Sequence, residues 1–163
     1  MRIRSKFIIT GFCFLLACGH ETKEKQQSIE SNLKADSTII FSNYLKNKHH
    51  TNINKNVHCY IVVPVTGCGL CINSTVEYLL KDFDKLDTNK ITFIVSNGNW
   101  LKDSLFNSKV KYYKDKAETI DQLDLHIINV TLIYTNNLKF DSIKSISSQE
   151  AKEIIKFCPQ KRK

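Results

Sequence analysis

The sequence predicts an α/β fold in which helices on both faces flank a central mixed β-sheet. Residues 57–63 and 91–95 are apolar runs rich in β-branched residues, as is typical of buried strands. The segment between them has the apolar spacing of a helix, so the two strands form a parallel pair with a right-handed crossover. A third strand at 127–134, followed by a hairpin through residue 143, adds antiparallel strands and makes the sheet mixed.

The helix between the first two strands begins at a pair of cysteines. A turn at 64–67 follows the first strand, and the sequence Cys68-Gly69-Leu70-Cys71 then opens the helical segment. Apolar residues recur there at the three-to-four spacing of one helix face. They are Ile72, Val76, Leu79, Leu80, Phe83 and Leu86. Two cysteines three residues apart therefore lie where a buried strand is followed by a helix.

This position has a chemical consequence for the two thiols. The first turn of a helix has unpaired N–H groups and a partial positive charge, which stabilise a thiolate and raise its reactivity. The i, i+3 spacing places both sulfurs on one side of the turn, close enough to form a disulfide. A C-x-x-C sequence in a strand–turn–helix context therefore indicates redox chemistry at Cys68 and Cys71.

Weaker patterns assign the remaining elements of the chain. The Asn136-Asn137 pair predicts the hairpin turn, and Ser147 with Glu150 three residues later forms a capping-box pattern at the start of a last helix. The other predicted elements are a short helix at 100–106, a short edge strand at 110–113, a weak helix at 118–125 and the last helix through Phe157.

The first residues predict a lipoprotein signal peptide at 1–17. A basic start precedes an apolar run at 7–16 that is too short to be a membrane span. The run ends in Leu15-Leu16-Ala17-Cys18-Gly19, which resembles a bacterial lipobox. That resemblance implies cleavage before Cys18 and attachment of lipid, such as palmitate, to Cys18. An ordinary secretory signal or a short anchor is the alternative.

The predicted order of segments after the signal is a tether and then a domain. Residues 18–51 are predicted to comprise the lipidated cysteine, a polar tether and an N-terminal helix, and residues 52–163 the folded domain. The formal net charge is +8, but the basic residues are spread out and no nucleic-acid motif accompanies them. We therefore expect a solvated basic surface, weakly attracted to anionic membranes, and no nucleic-acid partner.

The order of elements, with C-x-x-C at the start of the first domain helix, resembles the thioredoxin fold. Together with the lipobox, the chain is similar to membrane-tethered, TlpA-like thiol–disulfide oxidoreductases of the bacterial envelope. The resemblance covers about residues 57–157. It implies a three-layer sandwich, anchored by lipid on the periplasmic side or at the outer membrane, that acts on protein thiols or disulfides without a cofactor.

The resemblance also implies roles for individual residues. Cys68 would be the exposed nucleophile and Cys71 the buried resolving thiol, joined as a disulfide in the oxidised form. Gly67, at the position where the family usually has tryptophan, and Val130, at the position of the family's cis-proline, would lie in the substrate-docking region. The family often has a buried carboxylate where this chain has Val62. A cis bond before a residue other than proline costs about 3–4 kcal/mol, so we expect a trans bond before Val130.

A structural zinc site is one alternative to redox chemistry. Cys68 and Cys71 would supply two ligands, but the sequence has no second closely spaced pair. The residues that would have to complete such a site are His58, Cys59, His126 and Cys158, of which the first two point to opposite faces of a strand. We therefore expect no metal.

A second alternative is a catalytically silent thioredoxin-like module that binds a protein partner and keeps a structural Cys68–Cys71 disulfide. The differences at Gly67, Val62 and Val130 favour it. Four further residues are interpreted as structural or solvated: Cys59 and Cys158 as core residues, with a bridge between them left open, and His49 and His50 as solvated loop residues.

Overall fold

The computed structural model describes residues 18–96 and 110–161, with side chains from Leu33 onward. The described residues divide into two compact units, with the division between Leu33 and Lys34. The predicted signal peptide at 1–17 and the predicted helix at 100–106 lie outside the described residues.

A five-stranded mixed sheet is the centre of the second unit. Its strands are β1 His58–Val63, β2 Ile91–Ser96, β3 Lys111–Asp115, β4 Thr131–Asn136 and β5 Lys139–Ser145. They lie in the order β3-β2-β1-β4-β5. β1, β2 and β3 are parallel, whereas β4 is antiparallel to both β1 and β5. The sequence prediction of a parallel pair extended by a hairpin is confirmed.

The two faces of β1 contribute to two different hydrophobic clusters. Cys59, Ile61 and Val63 belong to one cluster, and Tyr60 and Val62 belong to the other. All six residues of the strand are buried, because neighbouring strands pair with both edges and side chains alternate between the covered faces.

The first cluster is covered by α2 Gly69–Lys81 and by the C-terminal segment. Helix α2 buries Ile72, Val76 and Leu79, which are residues of the predicted apolar face. Phe83 and Leu86 of that face follow in the 3₁₀ turn Phe83–Lys85 and directly after it, and both are buried in the same cluster. The helical periodicity therefore predicted correctly which residues pack on the sheet.

The predicted capping-box pair is hydrogen-bonded, but it lies in a turn before the last helix and does not cap it. The Oγ atom of Ser147 donates to Glu150 Oε2 at 2.8 Å, and the N–H of Ser147 donates to the same oxygen at 3.1 Å. A 3₁₀ turn at Ala151–Glu153 then continues into α3 Ile154–Phe157. The C-terminal segment stays on the domain because Pro159 accepts the Asp87 N–H at 2.9 Å.

The second cluster is covered by the end of helix α1 Cys18–His49. Phe41, Tyr44 and Leu45 of this helix are at most 4% exposed and pack against the face of the sheet that carries Tyr60 and Val62. Helices therefore lie on both faces of the mixed sheet, and the predicted thioredoxin-like α/β fold is confirmed.

Three further elements differ from the sequence prediction. The polar segment predicted as a tether is helical, since it belongs to helix α1 Cys18–His49. The weak helix predicted at 118–125 is a 3₁₀ turn at Thr119–Gln122, and β4 begins at Thr131 rather than at 127. None of the helices within the described residues is both long enough and apolar enough to cross a membrane.

Candidate functional site

The two cysteines of the C-x-x-C sequence form a disulfide at the start of α2. Cys68 is the N-cap residue of the helix, in extended backbone conformation, and its Cα lies 5.2 Å from that of Cys71. The N–H of Cys71 donates to Cys68 Sγ at 3.3 Å. The site therefore has the disulfide that the spacing predicts, with one sulfur already accepting a bond from the helix N-terminus.

The two halves of the disulfide differ in exposure. Cys68 is exposed, whereas Cys71 is half-buried. A nucleophile from another molecule therefore reaches Cys68 more easily than Cys71. This asymmetry matches the roles that the thioredoxin resemblance assigns, although those roles themselves stay a prediction.

Asp121 hydrogen-bonds the loop that connects β1 to the disulfide. Its Oδ2 atom accepts the N–H of Val65 at 3.0 Å, the N–H of Thr66 at 3.2 Å and the hydroxyl of Thr66 at 3.1 Å. Its other oxygen, Oδ1, is buried and has no hydrogen-bond partner among the described residues. Sequence reasoning missed Asp121, because an aspartate in a 3₁₀ turn shows no pattern that links it to a distant loop.

Gly67 is required by the close approach of a second loop. Its φ is +113°, a conformation that L side chains rarely adopt. A Cβ atom built on Gly67 would lie 1.9 Å from the carbonyl oxygen of Ile128. This contact explains why glycine stands where the thioredoxin family usually has tryptophan.

Val130, the other predicted docking residue, lies in the core. Its side chain is fully buried in the first cluster, and its carbonyl accepts the Ile146 N–H at 2.9 Å. The described peptide bonds are all trans, as predicted for the bond before Val130. Any docking at this position therefore depends on the neighbouring exposed residues rather than on the valine side chain.

Three large apolar side chains are exposed around the disulfide. Leu70, between the cysteines, is 82% exposed, Ile128 is 61% exposed, and Val65 is 39% exposed. The segments that carry them meet at Gly67, since this residue follows Val65 closely and contacts Ile128. We refer to Val65, Leu70 and Ile128 as the apolar rim.

The residues considered for a zinc site are not brought together. His58 is buried, with Nε2 2.8 Å from Thr92 Oγ1 and Nδ1 3.3 Å from Asn54 Nδ2. Burial, assisted by the charge of Lys111, lowers the pKa of His58 to about 4. His126 is 94% exposed beside Asp124. Within the described residues, no three His, Cys, Asp or Glu side chains are grouped as metal ligands would be.

Cys59 and Cys158 are free thiols inside the first cluster. Burial raises the pKa of Cys158 to about 12, and burial followed by the proximity of Cys158 raises the pKa of Cys59 well above its usual value. A thiol that is held in its neutral form is a poor nucleophile. The interpretation of both residues as core side chains is consistent with this environment.

A cluster of polar side chains, away from the disulfide, joins α1 to the edge of the sheet. Tyr44 donates to Asp115 Oδ2 at 3.2 Å, and the ring of His49 lies 2.9 Å from the Tyr44 hydroxyl and stacks on Tyr113. Asp115 is 3% exposed and also accepts the Ile120 N–H at 2.7 Å. Burial lowers the pKa of His49, which is therefore not the solvated loop residue that its sequence context suggested.

Comparison with known proteins adds one structural likeness. No protein-family model and no curated protein matches the chain. A solved structure described as a thioredoxin-like protein from Bacteroides caccae shares 20% sequence identity, with a TM-score of 0.32. The match covers 64% of this chain and 41% of that protein. The chain thus spans less than half the length of the protein that it matches.

The fold and the site together define a thioredoxin-like α/β domain. Its C-x-x-C disulfide lies at the surface, at the N-terminus of the helix that follows the first strand.

Proposed function

We propose that this protein exchanges thiols and disulfides with other proteins through Cys68 and Cys71. The observation that carries the proposal is an exposed disulfide at the N-terminus of the 13-residue helix α2. A disulfide that only stabilised the fold would not need this exposure or this electrostatic position. Both features favour attack by, and release of, a thiolate.

The start of α2 is suited to stabilise a thiolate on Cys68. The Cys71 N–H already donates to Cys68 Sγ, and the first turn of the helix carries no acidic side chain. The partial positive charge of the helix N-terminus therefore acts on this sulfur without an opposing carboxylate in the same turn. A stabilised thiolate is both a better-populated nucleophile and a better leaving group.

The proposed reaction with a partner disulfide has two displacement steps. The Cys68 thiolate attacks one partner sulfur, a Cys68–partner bond forms, and the other partner sulfur leaves as a thiolate that takes up a proton. The Cys71 thiolate then attacks Cys68 Sγ, which restores the Cys68–Cys71 bond and releases the second partner sulfur. The partner disulfide is reduced by two electrons and the protein dithiol is oxidised. The same steps in reverse oxidise a partner.

The apolar rim provides a surface on which a partner polypeptide could rest. Leu70 lies between the two cysteines and Ile128 approaches Gly67, the residue before Cys68, and both side chains are mostly exposed. Exposed apolar side chains around a reactive group are typical of surfaces that contact other proteins. We therefore propose that protein thiols or disulfides, rather than small polar molecules, are the substrates, and that the region of Gly67 and Val130 borders the docking surface.

We further propose that the protein is a lipid-anchored component of the bacterial cell envelope, attached through Cys18. The lipobox-like sequence at residues 15–19 and the polar segment after it support this proposal. Metabolic labelling with a palmitate analogue tests it. Label and membrane association should both be lost in Cys18→Ser, and a Cys18→Ser protein that keeps either would contradict the anchor.

The reduction potential of Cys68–Cys71 tests the exchange function. The protein carrying Cys18→Ser would be equilibrated with glutathione buffers and its thiols trapped, with Cys68→Ser as the control. A reversible potential between roughly −270 and −120 mV, the span of known exchange proteins, is the expected result. A disulfide that remains intact below about −300 mV would instead be structural.

A silent binding module is the second candidate function. The fully buried Val62 favours it, since the thioredoxin resemblance places a proton-transferring carboxylate at this position. Such a module would keep the disulfide and bind its partner through the apolar rim without exchanging electrons. Such a module would have a reduction potential below about −300 mV, and its binding to the partner would be unchanged in Cys68→Ser.

A further inference from the structure

We propose that Asp121 is a positioning residue for the disulfide, which fixes the loop before Cys68 and, through its negative charge, opposes formation of the Cys68 thiolate. The inference builds on the proposed exchange function, since it concerns how readily that disulfide is reduced. Asp121 lies in the 3₁₀ turn Thr119–Gln122, outside both the C-x-x-C sequence and the strand before it.

The hydrogen bonds of Asp121 determine where the disulfide loop lies. One oxygen, Oδ2, accepts two backbone N–H groups and one hydroxyl, from Val65 and Thr66. Hydrogen bonds to an ionised acceptor are among the stronger ones in proteins. Thr66 is separated from Cys68 only by Gly67, whose own backbone packs on the carbonyl of Ile128. The chain before Cys68 is thus in contact with two other loops.

The second oxygen of Asp121 gives the carboxylate an unusual environment. Oδ1 is buried, yet no described residue donates to it. A buried acceptor without a hydrogen-bond partner costs free energy. The bonds that Oδ2 makes to the loop do not account for the burial of Oδ1. Water therefore screens this oxygen less than it would screen a fully exposed carboxylate oxygen.

The neighbours of Asp121 away from the loop do not neutralise it. Two described titratable groups on that side are Tyr44 and Asp115, and Asp115 accepts the N–H of Ile120, the residue before Asp121. Burial, then Asp115, and then the charge of Asp121 raise the pKa of Tyr44. Neither Tyr44 nor Asp115 is a cation, so neither of them balances the Asp121 carboxylate, whose field also acts on the disulfide loop that it contacts.

The direction of the effect follows from the sign of this charge. A negative charge near Cys68 disfavours its thiolate and therefore stabilises the disulfide relative to the reduced protein. Asp121 thus acts against the helix N-terminus, which favours the thiolate. The balance between the two would make the protein a better reductant than the helix position by itself allows.

Two variants of opposite expected sign test this inference. Asp121→Asn keeps the shape but removes the charge, so we expect the apparent pKa of Cys68 to fall. We also expect the equilibrium with glutathione to shift by three- to tenfold towards the reduced protein. A tenfold shift corresponds to about 30 mV for a two-electron couple. Thr66→Val removes one donor from the carboxylate and keeps its charge, so the apparent pKa of Cys68 should rise.

The measurements are the alkylation rate of Cys68 as a function of pH and the equilibrium constant with glutathione. Asp124→Asn is the matched control, since this carboxylate is 85% exposed in the same segment, and it should leave both quantities unchanged. Equal values in Asp121→Asn and Asp124→Asn, or shifts of the same sign in Asp121→Asn and Thr66→Val, would overturn the inference. Thr66 is exposed, so we expect Thr66→Val to fold. The sign of its change in the apparent pKa of Cys68 then tests the inference even if Asp121→Asn fails to fold.

The outcome for Asp121 is separable from the outcome for the proposed function. If glutathione leaves the wild-type disulfide intact, the exchange function fails. Dithiothreitol, a stronger reductant, then replaces glutathione, and the comparison between the variants still decides the role of Asp121.

Discussion

The carbonyl oxygen of Ile128 occupies the space that a side chain on Gly67 would need. The distance from this oxygen to an ideal Cβ is 1.9 Å, well inside van der Waals contact, and the φ of +113° disfavours any L side chain. The loop before the disulfide and the loop before β4 can approach this closely only because residue 67 is glycine. The contact therefore links the loop before the disulfide to the segment at which we propose that a substrate docks.

Gly67→Ala should destabilise the protein by about 2–4 kcal/mol, because the strained backbone and the displaced carbonyl both add to the cost. Urea unfolding measures it. Gly69→Ala is the matched control, since nothing lies within 4 Å of a Cβ there and the residue begins α2. We expect this control to be neutral or slightly stabilising. Equal losses in the two variants would contradict the contact with Ile128.

Cys71→Ser should accumulate disulfide-linked complexes with partner proteins. The variant keeps the exposed Cys68 but lacks the thiol that releases the partner, so the mixed disulfide persists. Non-reducing electrophoresis of cells that express the variant reveals such complexes, which a reductant should dissolve. Cys68→Ser should form none, because Cys71 is half-buried. If both variants trap partners equally, the assignment of Cys68 as the nucleophile is wrong.

The stability of the protein should fall as the pH decreases from about 6.5 towards about 4. Burial lowers the pKa of His58 to about 4, so in this window the unfolded state binds a proton that the folded state does not. The contribution is fully present above the usual pKa of 6.5 and amounts to on the order of 3 kcal/mol.

Urea unfolding at a series of pH values measures this dependence. His58→Gln should flatten the curve between these pH values, whereas His126→Gln should not, because His126 is 94% exposed. A curve of unchanged slope in His58→Gln would assign the acid sensitivity to other groups.

Tyr44→Phe should cost about 1–3 kcal/mol, because it removes the hydroxyl that donates to the buried Asp115. Thermal or urea unfolding provides the measurement. In an Asp115→Asn background the same substitution should cost less, since the charged acceptor is already absent. Additive losses in the double variant would show that the bond to Asp115 does not couple the two residues.

The sequence predicted the parts of the fold that depend on local patterns. The apolar spacing from Ile72 to Leu86 identified the buried face of α2, whereas the Ser147–Glu150 pair identified only the turn that precedes the last helix. The apolar run at 127–134 was less informative, because β4 begins only at Thr131. Ile128 is apolar but exposed, as it contributes to the loop against Gly67 rather than to a strand.

The candidate site could be predicted only in part. The two cysteines carry their own spacing signal, whereas Asp121 becomes part of the site through tertiary contacts with Val65 and Thr66. Likewise, the burial of Asp115 follows from a contact between α1 and an edge strand. No periodicity in a single sequence reports such contacts between distant segments, so neither carboxylate was assigned a role from the sequence.

The Cys68–Cys71 bond joins residues with a sequence separation of only 3. A ring this small removes less conformational freedom from the unfolded chain than a longer loop would, so the bond adds less to the stability of the domain than a long-range disulfide would. The hydrophobic clusters on the two faces of the sheet supply that stability instead. Reduction of this bond should therefore leave the architecture in place, which the proposed repeated exchange of electron pairs would require.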